Sequence, residues 1–146
     1  MLSIEEKAGG DFLNLKGKGF TASYLRYTFG YNFNKYLTAH IPCEGEIALF
    51  KKNGVRDWAQ NSTIGLGLGI IPCRFEKVKG LLELYLAAGS TCEHKYDWRY
   101  TYYDLGFNLA FGKFVKMQAG FGIRYYDARK SANRMAGYAS LGCRFN

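Results

Sequence analysis

The chain has only two prolines and two histidines, and it contains no run of 18 apolar residues. The missing apolar run excludes a transmembrane helix. Helix-period segments of useful length are also missing, which removes a helical bundle from consideration. Cys43, Cys73, Cys92 and Cys143 form no CxxC pair and show no metal-ligand spacing, so neither a zinc site nor a redox motif has residues to rest on, and no cofactor is expected. The start, Met1-Leu2-Ser3-Ile4-Glu5-Glu6-Lys7, has no basic n-region and no apolar h-region. Taken literally it reads as the start of a cytosolic protein. The net charge is +8, but the basic residues are scattered over turns. That favours a solvated basic surface and gives no nucleic-acid partner.

Aromatic residues and glycine are abundant: 12 Tyr, 11 Phe and 18 Gly in 146 residues. One domain, residues 1–146, is expected from the length. Excess Tyr, Phe and Gly suits strands with closely packed faces. The final segment, residues 135–146, alternates strictly. Gly137, Ala139, Leu141, Cys143 and Phe145 share one face; Ala136, Tyr138, Ser140, Gly142 and Arg144 share the other. An apolar face opposite a face of glycine and isolated charge predicts an inside-out sheet, greasy toward lipid and polar toward a narrow lumen.

The same period marks residues 19–33, 36–50, 62–75, 81–93, 100–112 and 114–127. Pro72 predicts a bulge or a strand end. The connections alternate in length: short near 34–35, 76–80 and 112–113, long and polar at 51–61, 94–99 and 128–134. Outer-membrane barrels have short periplasmic turns and long extracellular loops. With that assignment the strands at 19–33 and 135–146 both run downward. Closure then requires an upward strand before residue 19, and the weakly patterned segment 3–14 must supply it. The expected fold is all-β: an eight-stranded antiparallel up-and-down transmembrane β-barrel. The inferred hairpin registers place no cysteine opposite another, so free thiols are expected.

Eight strands enclose just enough room for side chains. The polar face supplies Arg26, Lys116, Arg124 and Arg144, and against them Glu44, Glu46, Glu83 and Asp104. Balanced charge in a closed lumen predicts an ion-pair network, because a lone buried ion costs several kcal/mol. A gated polar pore or a catalytic dyad is the other reading of these residues. Aromatics near the strand ends (Trp98, Tyr100, Tyr102 and Tyr103 at one rim; Tyr31, Phe33 and Tyr36 at the other) predict interfacial girdles. Loop cations Lys51, Lys52, Arg56, Lys95, Arg99, Arg129, Lys130 and Arg134 are expected to contact lipid headgroups, with lipopolysaccharide phosphates as counter-ions.

With strand order, terminal aromatic and charged lumen assembled, the whole chain resembles the small eight-stranded outer-membrane barrels of the OmpA/OmpX type and the short Bacteroides-like outer-membrane β-barrel proteins. The resemblance is architectural. It implies a bacterial outer-membrane location with the signal peptide already removed, and handling by the barrel-insertion machinery. The family's terminal recognition signal ends on an aromatic; here Asn146 follows Phe145. The implied function is a non-enzymatic barrel with a side-chain-plugged lumen, serving surface contact or envelope structure. One alternative is an outer-membrane lipid-modifying enzyme, for which Ser90, Glu93, His94 and Asp97 are near one loop. Ser90 and His94 share the apolar parity, about 13 Å apart along an extended strand, which argues against a dyad. The other alternative is a soluble lipocalin-like ligand-binding barrel, which would invert the two faces.

Overall fold

The computed structural model describes residues 1–16, 20–52, 55–92, 99–128 and 133–145, with side chains described there except at 20, 50–52 and 55–57. Eight strands follow in chain order: β1 (Leu2–Lys16), β2 (Phe20–Asn32), β3 (Leu37–Lys52), β4 (Val55–Phe75), β5 (Gly80–Thr91), β6 (Tyr100–Phe111), β7 (Val115–Ala128) and β8 (Arg134–Phe145). Each pairs antiparallel with the next, and β8 returns to β1, so the sheet is a closed barrel.

The closing strand is the one that parity demanded. Ile4 pairs with Phe29 of β2 on one side and Phe145 of β8 on the other. From Asp11 onward β1 follows β8, and its register shifts between Asp11 and Leu13 and again between Asn14 and Lys16. Pairing on both sides removes the edges that an open sheet would expose.

The short connections are built from local chemistry. Asn34 Oδ1 accepts hydrogen bonds from the Tyr36 and Leu37 amides at 2.7 and 2.9 Å, an Asx-type turn. The β6–β7 turn needs Gly112, whose φ is +138°; a side chain there would also run into the Val115 carbonyl. Pro72 falls where the β4–β5 register shifts between Ile70 and Cys73, as a residue without an amide donor requires.

The expected polar loop over 51–61 is largely strand instead. Pairing of β3 with β4 continues from Leu49↔Trp58 to Lys52↔Val55. The extension is seen as backbone pairing in a segment without regular hydrophobic alternation, so the two-residue pattern did not reveal it.

Side chains point as the two-residue period dictates. Leu66, Leu84, Leu105, Phe121 and Leu141 project from the outer wall, with Leu66 70% exposed and Leu141 69% exposed. Arg124, Glu83 and Asp104 are wholly buried inside. Paired rings brace the outer wall, Phe107 with Phe121 at 5.8 Å and Tyr103 with Tyr125 at 6.4 Å between centroids. The girdle expectation needs correction at two positions. Tyr100 and Tyr102 are buried inside the barrel, because both lie on the inward parity of β6. Trp98 lies outside the described residues. The four cysteines are free; Cys43 faces Tyr27 and Ile64, and Cys143 faces Met117.

Candidate functional site

The lumen holds three tiers of charge. In the middle tier, β2 and β7 each contribute an arginine, and β3 and β6 each contribute a carboxylate. Arg26 Nε donates to Glu44 Oε1 at 2.5 Å, and its Nη2 to Asp104 Oδ2 at 2.7 Å. Arg124 Nε and Nη2 donate to the two Asp104 oxygens at 2.6 and 2.7 Å. Its Nη1 and Nη2 also donate to Glu44 at 2.8 Å each. Two guanidinium groups thus share two carboxylates in a closed ring of charge-assisted bonds. Tyrosine rings wall this ring: the Arg124 guanidinium lies 4.4 Å from the Tyr102 centroid and 4.9 Å from that of Tyr24.

The second tier lies toward the short-turn end, where β8 finishes. Arg144 Nη1 donates to Glu83 Oε2 at 3.0 Å, and its Nε is 3.3 Å from Glu5 Oε1. Lys7 joins through Glu5 at 3.0 Å and Asn108 at 3.2 Å. On the other side of Glu83, the Thr38 hydroxyl donates at 2.6 Å and His40 Nε2 lies 2.9 Å away. The third tier is at the opposite end, where β8 begins: Arg134 Nη1 donates to Asp11 Oδ2 at 2.7 Å, and the Tyr126 hydroxyl donates to the same carboxylate.

Close fit is enforced at Gly69, where an added Cβ would fall against the Glu83 carboxylate and the Thr38 hydroxyl. Gly69→Ala is therefore expected to lower stability by about 1–3 kcal/mol, the usual cost of overpacking. Gly45, with open space around its Cβ position, supplies the control: Gly45→Ala should change little. Equal midpoints for the two variants in urea titrations would mean the interior is looser than this geometry.

Six of the eight lumen residues read from the sequence are thus joined: Arg26, Glu44, Glu83, Asp104, Arg124 and Arg144. Two are placed differently. Lys116 is the second residue of β7, at the short-turn rim, where its register partner is Arg144; it is half-buried and forms no ion pair among the described residues. Glu46 is 1% exposed, and neither of its carboxylate oxygens has a hydrogen-bond partner among the described residues. Its position on β3, one inward step beyond Glu44, takes it above the arginine ring. Sequence reading missed Glu5, Lys7, Asp11, Thr38, His40 and Asn108. The inward parity of β3 and β6 would have found Thr38, His40 and Asn108, whereas β1 has polar residues on both faces and needed its register.

Of the expected headgroup cations, Arg134 is corrected: it is 3% exposed and turned inward to Asp11 because it already belongs to β8. Arg99 is half-buried beside the start of β6. Only the backbone is described at Lys51, Lys52 and Arg56, and Lys95, Arg129 and Lys130 lie outside the described residues. Ser90 is exposed on the outer wall, and its hydroxyl donates to the Tyr100 carbonyl at 3.4 Å. Glu93, His94 and Asp97 lie outside the described residues. The inverted, lipocalin-like arrangement is overturned, since the charged face points inward and the greasy face outward.

No protein-family model matches the chain. No curated protein matches it either. Among solved structures it is similar to the crystal structure of a major outer membrane protein from Thermus thermophilus, with 11% sequence identity, 99% of each chain covered and a TM-score of 0.49.

Proposed function

We propose that this chain is a small bacterial outer-membrane β-barrel, OmpA/OmpX-like in plan, with a side-chain-plugged lumen and a structural or surface-contact role. The observation that carries this reading is the inversion of the barrel. Charged groups fill the inside, while Leu66, Leu68, Leu86, Leu105 and Leu141 on the outside are each more than half exposed. In water, such a continuous greasy wall would be an aggregation hazard; in a bilayer it is the contact surface.

The dimensions agree. On β6 the outward residues run from Tyr103 to Phe111, eight steps, or roughly 27 Å along the strand. At a tilt of ~35–45° this gives about 20 Å of height, close to the ~25 Å apolar band of such barrels. The three tiers of ion pairs cross the lumen from end to end, which supports a plug over a conducting pore. The long-loop end would face outward, its cations beside lipopolysaccharide phosphates, and the barrel-insertion machinery would deliver the chain. A non-enzymatic role fits Ser90, whose hydroxyl sits on the greasy wall and donates to a backbone carbonyl.

The purified chain is expected to require detergent and to migrate differently on gels before and after boiling, because a closed barrel resists unfolding in cold detergent. A monodisperse protein in detergent-free buffer, with one migration position, would overturn the assignment.

A further inference from the structure

The short-turn end of the barrel opens into a basic cup. Lys35, Arg74, Lys113, Lys116 and Arg144 line a cavity of about 560 Å³ beside the buried side chains of Ile71 and Leu81, and among the described residues no Asp or Glu lines it. That volume falls within the ~300–1,000 Å³ usual for small-molecule sites. Its wall includes Arg144, whose guanidinium is tied to Glu83, Glu5 and Asn32.

Arg74 donates from Nε and Nη2 to the Lys35 carbonyl at 3.1 and 2.8 Å. Lys113 Nζ lies 5.1 Å from the Phe114 ring centroid, and Lys35 Nζ lies 4.9 Å from that of Tyr36. Lys116 stands opposite Arg144 in the β7–β8 register, and it lines the same cavity as Arg74. Arg144 has carboxylates on its lumen side; Lys35, Arg74, Lys113 and Lys116 form no ion pair among the described residues. Unmatched charge of one sign in a concavity with low-dielectric walls concentrates a counter-ion.

We propose that this cup binds a multivalent oxyanion of the phosphate class, held by Arg74, Lys113, Lys116 and Arg144. The guanidinium groups supply forked donors and the lysines compact charge, the combination that phosphate recognition uses. The inference rests on the closed barrel alone, so it stands or falls separately from the membrane assignment. Phosphate of this kind comes either free in solution or as a phospholipid headgroup.

Pyrophosphate titrated calorimetrically into the full chain in a neutral detergent is expected to bind saturably. The triple variant Arg74→Gln/Lys113→Gln/Lys116→Gln should weaken binding about tenfold or more. Lys77→Gln/Lys79→Gln, in the neighbouring turn but outside the lining, should leave it unchanged. Both variants are first checked for an unaltered barrel by gel migration and circular dichroism. In nanodiscs, loss of pyrophosphate binding with phosphatidylglycerol but not with phosphatidylcholine assigns the headgroup as occupant; binding in both assigns the soluble anion. No saturable binding in detergent, or equal loss in the triple variant and the turn control, overturns the proposal.

Discussion

Arg124→Met should cost about 3–5 kcal/mol of folding stability, the range for removing one partner of a buried ion pair. Arg124 is fully buried and supplies two donors to each of Glu44 and Asp104. Without it, two carboxylates remain in the lumen with Arg26 as their shared cation. Asp104→Asn alone is the mirror case, leaving Arg26 and Arg124 with Glu44. The double variant returns the site to one arginine and one carboxylate, joined by the short Arg26–Glu44 contact. Its cost should therefore fall well below the sum of the single costs. Urea titrations of the four proteins, followed by the folded band on gels, measure the coupling directly. Simple additivity would remove the network from the account of this lumen.

The second large effect tests the opposite wall. Phe107 is 40% exposed and sits midway between Tyr103 and Phe111 on β6, at the centre of the outward apolar band. Phe107→Arg should destabilise the barrel by about 2–4 kcal/mol in a bilayer, the cost of an arginine near the midplane. Loss of the Phe107–Phe121 ring contact adds to this. In a water-soluble barrel the same change would place a charge on a wetted surface and cost little. Refolding into lipid vesicles is the measurement, with Phe107→Ala separating the ring contact from the charge. Equal stability of Phe107→Arg and Phe107→Ala would contradict a lipid-facing wall.

Alternation made most of this fold legible. From β2 to β8 the apolar and polar positions separate by parity, and a side chain's face needs no partner strand to be assigned. The short and long connections, with strand parity, required an eighth strand, and that strand is β1. Legibility failed where alternation was weak. The extension of the β3–β4 hairpin to Lys52↔Val55 is seen as backbone pairing in a segment without regular hydrophobic alternation. Asp11 keeps the inward parity of Ser3, Glu5 and Lys7, but only the pairing of β1 with β8 brings its carboxylate to Arg134.

By itself, then, the sequence determined the number of strands and, from β2 to β8, the face of the charged residues inside the alternating segments, because these depend on a local two-residue period and on turn chemistry. Tertiary structure decided which charges meet. Barrel closure sets the height of every residue around the wall, so Arg26 and Arg124, far apart in the chain, share Glu44 and Asp104. The same closure leaves Lys116 at the rim beside Arg144 and Glu46 above the ring, although both lie on the inward parity with the residues that pair. Ion pairing acts over a few ångströms, and only the closed register brings groups on β2, β3, β6 and β7 within that distance.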